Sequence, residues 1–71
     1  MPDYRDEAIH KFSVLLQNVR IAGERKQAGV GSHLRLLDEF VEAVQLVIPE
    51  LWPVMHEMAL RYWRNYDLML D

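Results

Sequence analysis

Cysteine and threonine do not occur in this sequence, and serine occurs only as Ser13 and Ser32. Without cysteine there is neither a disulfide nor a thiolate metal site. Ser13 has no histidine-plus-acid pattern around it, so a nucleophile and its base have almost nothing to be built from. No apolar run approaches the roughly 20 residues that a membrane span needs. The opening MPDYRDEAIH is charged and has no apolar core of a signal peptide. A cytoplasmic, non-membrane protein is the expectation.

What the chain has in excess is apolar surface. Hydrophobic residues make up 51% of only 71 positions, and a chain of that size buries only about 60% of the surface its unfolded form exposes. Domains this small usually need a disulfide, a metal or a partner chain. A second copy or another protein therefore has to share part of the apolar surface. The net charge of −3 speaks against general nucleic-acid binding. Charge is also uneven: residues 20–35 carry a net +3, whereas residues 36–60 carry five acids and no Lys or Arg. That asymmetry suits antiparallel or head-to-tail self-pairing, or a charged partner.

The apolar spacing is helical throughout. Tyr4, Ala8, Ile9, Phe12, Leu15, Leu16, Val19 and Ala22 recur at steps of three and four and form one core face. Asp3 suits the N-cap, with Asp6 and Glu7 at the positive end of the helix dipole. Val14 and Ile21 fall on the far side with His10, Gln17 and Glu24, in a weak coiled-coil-like seam. The break at Gln27–Ser32 predicts a helical hairpin, with Gly29 in the left-handed conformation, Arg25 and Lys26 in the last turn, and Ser32 as the next N-cap.

Ser32–Ile48 is the richest stretch. Leu34, Leu36, Leu37, Phe40, Val41, Val44, Val47 and Ile48 fill an arc of roughly 160°, with Asp38, Glu39, Glu42 and Gln45 opposite. Leu46 stands among the acids, and Leu36 and Val47 mark an edge that the chain's own helices shield poorly. Pro49 and Pro53 forbid an uninterrupted helix. They predict a short 3₁₀ piece over 49–52 and a third helix from Pro53, the alternative being a second helix kinked at the prolines. Met55, Met58, Ala59, Tyr62, Tyr66 and Met69 form the third helix's main face, with Trp63 and Leu70 widening it and Leu60 off to one side. The expected fold is all-α, one domain over 1–71, with helices near 3–27, 33–48 and 53–70, completed as a homodimeric bundle.

Motifs that carry chemistry fall short. His56-Glu57-Met58-Ala59-Leu60 begins like the zinc-protease H-E-x-x-H, but leucine stands where the second imidazole is required. Glu7-Ala8-Ile9-His10 has the Glu-x-x-His spacing of di-iron bundles, yet both side chains lie away from the core face. Asp38, Glu39 and Glu42 read as a solvated helix face. Arg61-Tyr62-Trp63-Arg64-Asn65-Tyr66 combines the residue types that dominate protein-binding hot spots.

These features together predict a non-enzymatic regulator without cofactor or metal, an inhibitor, anti-activator or adaptor that occludes the surface of a larger protein. Candidate contact residues are Val14, Ile21, Leu36, Leu46, Leu60, Trp63 and Arg64. The alternative is a dimeric nucleic-acid-associated regulator that uses the basic set Arg20, Arg25, Lys26 and Arg35 around the 27–32 loop. No helix-turn-helix signature supports it.

Overall fold

The computed structural model describes residues 3–63. These form α1 (Tyr4–Glu24), α2 (Val30–Val47) and α3 (Trp52–Tyr62), with a 3₁₀ turn at Pro49–Leu51 between the last two. Among the described residues there is no strand. The expected hairpin plus third helix is present, and the kinked alternative is not.

α1 starts as its composition dictates. Asp3 has extended dihedrals, and its carboxylate accepts the Arg5 backbone N–H at 2.9 Å. That satisfies one of the amides a helix start leaves unpaired. The other end departs from expectation. α1 stops at Glu24, and the left-handed residue is Lys26, with φ 52°. The Gln27 N–H donates to the Ala22 carbonyl at 2.9 Å, and the Lys26 N–H donates to the Gly23 carbonyl at 3.2 Å. This crossed pair is a Schellman termination. Gly29, expected in that role, has φ −83°. Because α1 ends three residues earlier than its periodicity suggested, the turn that needs positive φ falls on a lysine.

The start of α2 is also displaced. The helix begins at Val30 and has Gly29 at the cap position without a side-chain cap; Ser32 lies inside the first turn. Val30 supplies the reason. It precedes Leu34, Leu37, Val41, Val44 and Ile48 at steps of four and three, so it extends the buried stripe and is half-buried itself. Winding Val30 into the helix places it on that stripe, and Ser32 loses its cap role.

Ile48 leaves the helix with φ −134° and ψ 63°, as the residue before a proline must. Pro49 opens the 3₁₀ turn and Pro53 sits in the first turn of α3, two places where a missing N–H removes no helical hydrogen bond. α3 begins one residue before the expected Pro53. It ends at Tyr62, where Trp63 is extended. The remainder of the expected third helix, to Leu70, lies outside the described residues.

The core joins Phe12, Leu16, Val19 and Ala22 of α1 to Leu37, Val41 and Val44 of α2, closed by Leu51, Met55 and Ala59. The Trp52 ring meets Phe12 edge-on, with centroids 6.2 Å apart. Two residues assigned to core faces from spacing alone are instead at the surface. Tyr4 is 58% exposed because it belongs to the first turn, and Tyr62 lies at the exposed end of α3.

The Schellman turn generates a test. A non-glycine residue in the left-handed region costs about 1–2 kcal/mol, and glycine's greater unfolded-state freedom returns about half of that. Lys26→Gly should therefore stabilise the protein by about 0.5–1 kcal/mol, read as a higher urea midpoint at unchanged slope. An unchanged or lower midpoint would show that Lys26 carries no strain.

Candidate functional site

The surface of the molecule divides into two sides, and α1 defines them. Lys11 and Arg20 are nine residues apart, which sets them on opposite edges of the helix. On the Arg20 edge α3 is docked. The Arg20 guanidinium lies over the Tyr62 ring at 5.2 Å and donates to Glu24 Oε1 at 3.0 Å. The hydrogen bond to Glu24 first, and Tyr62 second, hold the Arg20 pKa above the ordinary arginine value. A cleft of about 410 Å³ lies here between Arg20, Gly23, Glu24, Tyr62 and Trp63. Among the described residues its one carboxylate is tied to Arg20, and its lining holds no serine or imidazole.

On the Lys11 edge the hairpin is open. Lys11, Leu15, Leu36, Glu39 and Phe40 line a groove of about 240 Å³, and Lys11 Nζ stands 5.3 Å above the Phe40 ring. Lys11 and Phe40 thus meet across the groove, which Leu15 and Leu36 also line. Because α1 and α2 are antiparallel, the same register continues outward to Ala8 opposite Ala43 and Tyr4 opposite Val47. An exposed ion pair between Arg5 and Glu50, at 3.8 Å, spans that end of the hairpin. The result is a two-row, largely apolar face on which Leu36 is 51% and Val47 74% exposed.

The residues singled out from sequence fall into three groups. Val14 and Ile21 are exposed on the outward side of α1, as their phase required; Leu36 and Leu46 are exposed on α2, Leu46 to 84%. Leu60 and Trp63 are not free surface: both are half-buried and packed against the core. Arg64 lies outside the described residues. The basic set is thinned, because Arg20 is engaged by Glu24 and Tyr62 while Arg25, Lys26 and Arg35 stay exposed. Asp38, Glu39 and Glu42 are exposed.

The histidines do not converge. His10 is exposed, and its backbone carbonyl accepts the Ser13 hydroxyl. His56 stacks at 5.2 Å on Trp52. His33 is half-buried, with Nδ1 shielded and without a hydrogen-bond partner among the described residues. Among the described residues there is no group of three or more His, Asp or Glu placed to hold a metal, and no helix long and apolar enough to cross a membrane.

Sequence reasoning identified Leu36 and Val47 as an edge but not the face they belong to. The signal was available: Leu36, Phe40, Ala43 and Val47 recur at steps of four, three and four, a second stripe beside the buried one. What spacing could not reveal is the α1 row of Tyr4, Ala8, Lys11 and Leu15 that lies alongside. No protein family, curated protein or solved structure matches the chain. Function is accordingly read from its residues and their geometry.

Two substitutions separate core edge from surface. Trp63→Ala removes a half-buried ring from the core margin and should cost about 2 kcal/mol of stability. Leu46→Asp, on open surface, should stay within about 0.5 kcal/mol of wild type. Urea titration checks both. A neutral Trp63→Ala would detach Trp63 from the core, and a costly Leu46→Asp would mean that Leu46 is covered in solution.

Proposed function

We propose that this chain is a non-enzymatic protein-binding regulator, an inhibitor or adaptor that acts as a homodimer by stoichiometric occlusion of a surface on a larger protein. One observation carries the reading. After the core is filled, large apolar side chains still stand exposed on two distinct surfaces, the open face of the hairpin and the outward side of α1. Isolated exposed aliphatics are ordinary on protein surfaces. Apolar rows at helical spacing on two surfaces of so small a domain are the kind of feature that marks interaction sites.

The outward side of α1 suits a target. Val14 and Ile21 are two turns apart on one line, 39% and 43% exposed, with His10, Gln17 and Glu24 as a polar rim. An amphipathic helix of this type binds by laying its apolar line into a groove of its partner. The occlusion is stoichiometric: each bound protomer removes one functional surface, and no bond is made or broken. The nucleic-acid reading has less to rest on, since Arg20, a quarter of the basic set, is engaged within the fold.

The test is affinity capture from the source cells, followed by reconstitution of the purified pair. A one-to-one ratio of protomer to target is expected, and Ile21→Asp should weaken that complex by about 2 kcal/mol or more at unchanged helical content. Equal binding by a Val14→Asp/Ile21→Asp chain would remove α1 as the target surface. Substrate turnover by the purified protein would refute the reading as a whole.

A further inference from the structure

The open face of the hairpin and the outward side of α1 differ in a way that assigns one of them. We propose that the open face, made by Tyr4, Ala8, Lys11 and Leu15 of α1 with Leu36, Phe40, Ala43 and Val47 of α2, is where a second copy of this chain docks, antiparallel, to close a four-helix layer. The inference rests on the homodimeric reading above and specifies its geometry.

The face is complementary to itself in size. Consider a two-fold axis that crosses α2 between Phe40 and Ala43. It sets Phe40 of each chain over Ala43 of the partner subunit, and Leu36 over Val47 of the partner subunit. Phe40 thus meets an alanine, the large-against-small pairing that interdigitating helix layers use, and Leu36 meets an aliphatic side chain. Taking the contact of Lys11 with Phe40, and the groove shared by Leu15 and Leu36, as the register of the hairpin places α1 as well. Tyr4 falls opposite Leu15 of the partner subunit, and Lys11 opposite Ala8 of the partner subunit.

The face is also complementary in charge. Placed opposite Ala8, Lys11 lies within one residue of Glu7 of the partner subunit, which sits on the rim. The two-fold axis makes this contact twice. Within one chain Lys11 already rests over the face, against Phe40, and the exposed Glu7 carboxylate has no ion-pair partner among the described residues. Val14 and Ile21 point away from this interface, so a target can be engaged while the dimer persists. From Tyr4 to Leu15 the face runs about 16 Å, which places it among the smaller specific interfaces.

Sedimentation equilibrium of the full chain and its variants tests the proposal, with circular dichroism to confirm that each variant is folded. Wild type should be a dimer at about 100 micromolar, and Val47→Glu, at a position that is mostly exposed in the monomer, should be monomeric and helical. Lys11→Glu and Glu7→Lys should each weaken the dimer about tenfold or more by setting like charges opposite each other. An equimolar mixture of those two chains should recover wild-type affinity, because both cross-chain pairs are then of opposite sign. A mixture no tighter than its parts overturns the pairing, and a dimer that survives Val47→Glu overturns the face while leaving dimerisation in place. A monomeric wild type overturns the homodimer itself; if Val47→Glu then also abolishes binding to a purified target, the face belongs to that target.

Discussion

Phe12 is the side chain through which the third helix is fastened to the hairpin. It is fully buried among Leu16, Leu37 and Met55, and the Trp52 ring meets it edge-on. Such an aromatic pair is worth about 0.5–1.5 kcal/mol beyond the area it buries, in a domain whose whole stability is only about 5–10 kcal/mol. The contact is possible because the chain turns sharply after Ile48. Pro49 and Pro53 each take a position where a missing N–H is harmless, and the three-residue turn between α2 and α3 delivers Trp52 to the α1 side of the core. A gentler connection would send α3 past the hairpin and leave Phe12 half-covered.

The same contact decides what is left open. α3 is an 11-residue helix, shorter than either helix of the hairpin, and it leans against the edge of α1 that carries Arg20. Among the described residues it covers one side of the α1–α2 pair and not the other. The uncovered row of Leu36, Phe40, Ala43 and Val47 is therefore a consequence of how the third element is attached, and not of an unusual second helix. This is how a chain with an interior too small for its apolar content arranges the excess: one side closed internally, one side presented as a continuous face. The exposed ion pairs Arg20–Glu24 and Arg61–Glu57 lie within single helices. Pairs of that kind contribute only a few tenths of a kcal/mol, so packing sets the architecture.

Much of the fold was legible in the sequence, and for a physical reason. Helix phase follows from burial, and the residues at steps of three and four that fill the core, Phe12, Leu16, Val19, Leu37, Val41, Val44, Met55 and Ala59, had been assigned to the core faces of three helices. The prolines announced a turn, and a turn is there. The ends of helices were legible only in part. Asp3 caps as its chemistry suggests, but Gly29 and Ser32 lost their expected roles to Lys26 and Val30. Caps contribute about 1 kcal/mol, and burying an aliphatic side chain contributes more, so Val30 overrides Ser32. Less of the candidate surface was legible. Val14, Ile21, Leu36 and Leu46 were found because phase alone puts them outside the core stripe or at its margin. Leu60 and Trp63, offered as contact candidates, are half-buried against the core, and the lateral position of α3 that puts them there has no signature in spacing. The α1 half of the open face was missed for the same reason: which flank of a hairpin a third helix covers is a tertiary fact.

The proposal of binding in place of catalysis rests on where polar groups are. A side chain becomes an effective acid, base or nucleophile when burial and close neighbours detune it from its behaviour in water. Electrostatic stabilisation of a transition state likewise gains its strength in a site that excludes solvent. Among the described residues the interior contains no buried polar or charged residue, and Asp38, Glu39, Glu42 and Glu57 are all exposed. The grooves are lined by aliphatic stems and rings, with Arg20 held by Glu24 in one and Lys11 and Glu39 in the other. Surfaces of this composition gain free energy by being covered, since removing apolar area from water is worth about 25 cal/mol per Å². Under the proposal, the two apolar surfaces on opposite sides of Lys11, one inward to the hairpin groove and one outward along α1, are each covered by a partner of their own.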